Sequence, residues 1–117
     1  MEAHLNLDVL SEFAGDVEFL RELQTLFQGE WEKSFPKLKE AAEEKRSDEA
    51  YHFSHNIKSC SLNMGAKKVV EVATALETLS RQSNFEEILS RLPALEKARE
   101  EFEEAFAQYI TTAESEQ

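Results

Sequence analysis

Apolar residues recur along this chain in steps of three and four, the spacing of one buried face of an α-helix. From Asp16 to about Arg46 the stripe runs through Leu20, Leu23, Phe27, Trp31, Leu38 and Ala41. Ahead of it, Val9, Leu10 and Phe13 suit a short helix over about 8–14, and Gly15 followed by Asp16 supplies a stop and a new N-cap. Pro36 cannot donate to the carbonyl of Glu32, so the long element is expected to bend there or to divide into two helices in series. Ser47 is expected to cap the next helix, with Asp48 and Glu49 favourable in its first turn and an end near Met64. Gly65 adopts a left-handed conformation cheaply and makes the stop. Ala66 then starts a helix to about Arg81 through Val69, Val72, Ala73, Leu76 and Leu79, which closes a helical hairpin. The last helix opens at Asn84, with Glu87 three residues on as a capping box, and carries Ile88, Leu92, Leu95, Phe102, Phe106 and Tyr109. Pro93 is expected to bend it near its start, and the polar end of the chain, residues 113–117, is expected to fray.

Strand signals are nearly absent, so the pattern predicts an all-α fold. Four substantial amphipathic helices joined by short turns pack as an antiparallel four-helix bundle, up-down-up-down, over about 16–112, with the short N-terminal helix covering one end. Composition agrees. With 117 residues, 41% hydrophobic and 32% charged, the chain is one domain with one core, and three Gly and two Pro do not suit a turn-rich β protein.

Charge and composition then remove whole classes of function. The 24 Asp plus Glu against 13 Lys plus Arg leave a formal net charge of −11, which repels nucleic-acid backbones and anionic membrane surfaces. Cys60 has no second cysteine with which to form an intramolecular disulfide or a structural zinc site, which suits a reducing compartment. The first ten residues lack a basic stretch followed by an apolar one, and no run approaches a membrane span, so a cytoplasmic location is expected. Gly15, Gly29 and Gly65 are scattered, which leaves no glycine-rich phosphate cradle; no ATP site and no kinase activity of its own are expected.

The informative segment is Tyr51-His52-Phe53-Ser54-His55-Asn56-Ile57-Lys58-Ser59-Cys60-Ser61-Leu62-Asn63-Met64-Gly65-Ala66. On a helical wheel Ala50, Phe53, Ile57, Cys60, Ser61 and Met64 form the core stripe, and His55 lies about 160° from Ile57, on the opposite face. His55 is therefore expected to be exposed, with Ser59 and Leu62 on successive turns and Lys58 beside it. A cation next to an imidazole on an acidic protein would stabilise an anion attached to that ring.

His55-x-Ile57-Lys58, a run of small residues, then Met64-Gly65-Ala66 resembles the signature of histidine-containing phosphotransfer (HPt) domains, H-x-L-K-G-[SA]-[SA]-x-x-L-G. The match is strong at His55, Lys58 and Gly65 and conservative at Ile57 and Met64; it departs at Ser59, where the family usually has Gly. The resemblance extends to the small helical bundle with its histidine on the second long helix. It implies a phosphoryl carrier of a two-component phosphorelay that passes phosphate between receiver-domain aspartates through His55, with Lys58 offsetting the phosphoryl charge. It implies receiver domains and a hybrid histidine kinase as partners, a monomer, no cofactor on this chain, and a Mg ion on the receiver. Ser59, Leu62 and His52 would flank the docked partner. Ser59 would crowd the receiver, bond back to the His55 carbonyl, or contact the phosphoryl group. The family docks receivers on an apolar patch beside the histidine, so some of Val9, Leu10, Phe13 and Phe19 are expected to stay exposed. The alternative is a docking module of the same fold that is not phosphorylated.

Blander accounts cover the other candidates. His52 fits a passive flank position, and His4 carries no pattern. Glu49-x-x-His52 has the spacing of a di-iron ligand pair and His52-x-x-His55 that of a two-histidine site, but the wheel turns both away from the core and no second Glu-x-x-His exists; no metal is expected. Lys67 and Lys68 fall beside Leu62, roughly 10 Å or more along the axis from His55, where they would steer an acidic partner rim. Cys60, Trp31 and most of the Phe set read as core.

Overall fold

The computed structural model describes residues 5–13 and 15–115. His4, without a pattern in the sequence, lies outside them. In chain order the elements are α1 (Leu7–Leu10), a 3₁₀ turn (Ser11–Phe13), α2 (Val17–Glu43), α3 (Ser47–Met64), α4 (Lys67–Arg81) and α5 (Phe85–Ser115), with no strand among the described residues. α2 packs against α3 and α5, and α4 against the same two, which closes the expected up-down-up-down bundle. The rod measures 49 × 22 × 19 Å.

The core follows the predicted stripes. Leu20, Phe27, Trp31, Leu38 and Ala41 from α2 meet Ile57 and Met64 from α3, Val69, Ala73 and Leu76 from α4, and Ile88, Leu95, Phe102 and Phe106 from α5. Phe27 and Phe102 cross edge to face with centroids 5.0 Å apart, an arrangement favoured by the ring quadrupoles. Phe53 and Cys60 lie only at the margin of this core, and Ser54 takes a fully buried place instead, its hydroxyl donating to the Ala50 carbonyl at 2.8 Å.

Several local expectations change. α2 runs unbroken through Pro36, because core residues on both sides of it, Trp31 and Leu38, hold the two halves on one surface. Pro93, where a bend was expected, lies inside α5, which is a single helical element. α3 is not capped by Ser47: its N-cap is Arg46, which makes no capping bond and instead pairs with Glu40, Glu44 and Glu49. The Ser47 hydroxyl meets that of Ser83 at 2.6 Å, tying the α2–α3 turn to the α4–α5 turn at the same end of the bundle. Asn84 accepts from the Glu87 N–H, but the Glu87 carboxylate turns to Arg91 rather than completing the box. The C-terminal end is helical to Ser115, where Ala113 is buried and Glu114 pairs with Arg21 across to α2; residues 116–117 of the stretch expected to fray lie outside the described residues.

Gly65 does end α3, at φ +71°. It also receives the N-terminal segment: the Asn6 N–H donates to its carbonyl at 2.6 Å, and a Cβ at this position would come within 3.0 Å of the Asn6 carbonyl oxygen. Asn6 in turn caps α1 by accepting from the Asp8 and Val9 N–H groups. The short helix therefore sits over the α3–α4 turn, one end of the bundle, as its apolar residues require.

Candidate functional site

α3 presents its polar face beside α4 at mid-length, and His55 stands there with 52% of its side chain exposed. Its ring is nevertheless fixed. Nδ1 lies 2.7 Å from Oε2 of Glu77, and the second carboxylate oxygen accepts from the Lys58 ammonium at 3.0 Å. Glu77 comes from α4 and is only 10% exposed, so this carboxylate is buried in the helix interface between its two partners. Burial works against its charge, but the hydrogen bonds from His55 and Lys58 prevail and hold the Glu77 carboxyl below the usual carboxylate range.

An ionised carboxylate has no proton to give, so in the neutral imidazole Nδ1 must carry the hydrogen and Nε2 the free lone pair. The only described polar contact of Nε2 is the Ser59 hydroxyl, one turn along α3 at 3.4 Å. On the other side the Tyr51 ring lies parallel to the imidazole, at 13° with centroids 6.0 Å apart, and Arg81 from α4 stacks over Tyr51 while donating to its hydroxyl at 2.8 Å. The result is an unprotonated ring nitrogen on a half-exposed imidazole, held in a frame of side chains from two helices.

The expected residues fall as follows. His55 is exposed and Lys58 is beside it, but the Lys58 side chain is 28% exposed and its ammonium is held by Glu77 rather than facing solvent freely. Ser59 is half-buried against the imidazole. Leu62 is 52% exposed one turn beyond, and His52 is exposed on the flank, its Nε2 3.3 Å from the Asn56 amide. Val9, Phe13 and Phe19 line a shallow groove with Leu23 and Leu62, whereas Leu10 is not part of that patch: it is fully buried beneath α1, where it anchors the cap to the core. Lys67 and Lys68 are exposed at the start of α4. The Cys60 thiol donates to the Ile57 carbonyl, and burial pushes its pKa up to about 11, so it stays a protonated filler at neutral pH.

Sequence reasoning missed Glu77, Tyr51 and Arg81. Glu77 had a signal, since it follows Ala73 by four residues and so falls on the stripe of Val69, Ala73, Leu76 and Ser80 that α4 buries. A carboxylate on a buried stripe needs a partner. Tyr51 stands four residues before His55 and could have been placed beside it; Arg81 could not, because its approach depends on how α4 packs.

The Hpt domain family model matches residues 22–111, most of the chain and all of the residues around His55. Among solved structures, the fold is similar to the histidine-containing phosphotransfer protein B (HptB) from Pseudomonas aeruginosa PAO1, with a TM-score of 0.64 and 26% identity over 99% of this chain and 96% of that one. No curated protein gives a significant match. Hpt proteins are phosphotransfer intermediaries rather than kinases, and the bundle, the family match and the shared architecture lead to one conclusion: the chain belongs to the Hpt domain family of phosphorelay carriers.

Proposed function

We propose that His55 is the phosphoryl carrier and that it exchanges phosphate with the active-site aspartate of a receiver domain. The observation that carries this reading is the Nδ1–Glu77 contact on an exposed ring, which leaves Nε2 unprotonated. The Nε2 lone pair attacks the phosphorus of the partner's aspartyl phosphate, the phosphorus–oxygen bond breaks, and its electron pair leaves on the aspartate carboxylate. No proton has to leave Nε2. The positive charge that develops on the ring is offset by Glu77 through Nδ1–H, and Lys58 places a cation within the same frame to oppose the phosphoryl charge. The metal ion needed to shield the aspartyl phosphate belongs to the receiver.

Docking uses the exposed side of α3 and the N-terminal segments beside it. Leu62 and the groove of Val9, Phe13 and Phe19 offer apolar contact, Ser59 and His52 flank the histidine, and Lys67 and Lys68 meet an acidic receiver rim. A hybrid kinase would engage this face through its own receiver.

The test is transfer of labelled phosphate from a panel of phosphorylated receivers to the wild-type protein and to His55→Gln. An acid-labile, alkali-stable label on wild type alone is the expected outcome. Equal labelling of the variant would move the acceptor elsewhere, and no labelling by any receiver or by phosphoramidate would favour a docking module that is not phosphorylated.

A further inference from the structure

Ser59 occupies the position where the family signature has Gly, and its hydroxyl is turned to a specific target. Elsewhere in the bundle the helical hydroxyls of Ser54, Thr74, Ser80 and Thr111 bond back to the carbonyl four residues earlier, at 2.7 to 3.0 Å. The Ser59 hydroxyl contacts Nε2 of His55 instead. Because Nδ1 carries the proton toward Glu77, Nε2 is an acceptor and the hydroxyl is the donor. The Lys58 ammonium is held by Glu77, the partner of Nδ1, so the hydroxyl is the group in contact with Nε2.

We propose that Ser59 is a second phosphoryl-contacting residue: its hydroxyl donates to Nε2 in the free protein and to a phosphoryl oxygen once Nε2 is phosphorylated, lengthening the lifetime of the phosphohistidine. This rests on His55 being the carrier. After transfer the Nε2 lone pair is committed to the nitrogen–phosphorus bond, so the hydroxyl loses its acceptor just as three anionic oxygens arrive one bond beyond Nε2. A hydroxyl already 3.4 Å from that nitrogen reaches them without moving the helix.

The direction of the effect follows from the reaction. In hydrolysis water attacks phosphorus, the nitrogen–phosphorus bond breaks, its electron pair returns to Nε2, and inorganic phosphate leaves. In a loose transition state negative charge drains from the terminal oxygens, so a donor to those oxygens stabilises the phosphohistidine more than the transition state. A glycine supplies no such donor. Ser59 therefore biases the carrier toward holding phosphate between partners, whereas steric crowding would alter only transfer to a docked receiver.

The experiment phosphorylates wild type, Ser59→Ala and Ser59→Thr with phosphoramidate, which needs no docking, removes the donor, and follows loss of the acid-labile label without any receiver. The half-life is expected to fall about three- to tenfold in Ser59→Ala, the scale of one hydrogen bond to a charged acceptor, and to recover in Ser59→Thr. Equal half-lives in wild type and Ser59→Ala would overturn the role of Ser59 while leaving the carrier intact. A wild-type protein that takes no label would overturn the carrier reading, and this inference with it.

Discussion

Under the proposed function Glu77 is a positioning residue, acting through its contact with Nδ1 of the His55 ring. Glu77→Gln keeps an acceptor for Nδ1–H but loses the ion pair with Lys58, whereas Glu77→Leu loses both. Phosphorylation by phosphoramidate is expected to slow by about tenfold in Glu77→Leu, where two ring tautomers share the population and no carboxylate offsets the charge that develops on the ring, and less in Glu77→Gln, which still holds Nδ1–H. Stability provides a readout that fixes the sign. The folded carboxyl titrates below its unfolded counterpart, so between the two pKa values the unfolded chain binds more protons and stability rises with pH. The stabilisation from Glu77 is thus complete above the unfolded carboxylate pKa of about 4.3 and is lost as pH falls through the folded value. Urea midpoints measured down this range should converge for wild type and Glu77→Gln; a constant gap would show that the carboxylate is not held in its charged form.

At the scale of the helix, Pro36 sets the clearest conflict between local and global preference. Its ring lacks the N–H that would reach the Glu32 carbonyl, yet α2 continues and Pro36 faces solvent. Local chemistry predicts a break; the turns on either side bury Trp31, Ser34, Leu38 and Ala41 against the bundle and override it. Pro36→Ala is therefore expected to stabilise the protein by about 1–3 kcal/mol, read as a higher urea midpoint with unchanged slope. An unchanged or lower midpoint would mean that the missing bond costs α2 nothing. The turns repeat this theme. Gly65 marks a left-handed stop visible in the sequence, but Lys45 at φ +58° and Ser83 at φ +54° end α2 and α4 in the same conformation without glycine, and only the close return of the next helix imposes it.

Across the whole molecule, the largest aromatic contacts and the site draw on different helix pairs. Phe27, Phe102 and Phe106 join α2 to α5, whereas His55 stands on the hairpin of α3 and α4. Phe102, 1% exposed, should cost about 3–5 kcal/mol when cut to Ala, a large part of what a domain this size commands. Below the unfolding transition, Phe102→Ala should still accept phosphate at His55 at close to the wild-type rate. A matching loss of labelling in folded protein, judged by circular dichroism, would show that the core transmits to the site.

The number and type of the main helices, most of the buried face of each, the stop at Gly65 and the exposure of His55 were legible in the residue pattern, although α3 buries Ser54 where Phe53 and Cys60 were expected. All of these follow from the period of the α-helix and the preferences of single residues, which act within a few positions along the chain. Which groups surround the imidazole was settled by how the helices pack. His55 and Glu77 are 22 residues apart, and their contact depends on the register of α4 against α3. That register was also what turned Lys58 from a free cation into a partner of Glu77, and what brought Arg81 over Tyr51. The fate of Leu10 depended on where α1 settled, and the continuity of α2 on the core beneath Pro36. Periodicity sets which face is polar; the packing of one helix on another sets what that polar face touches.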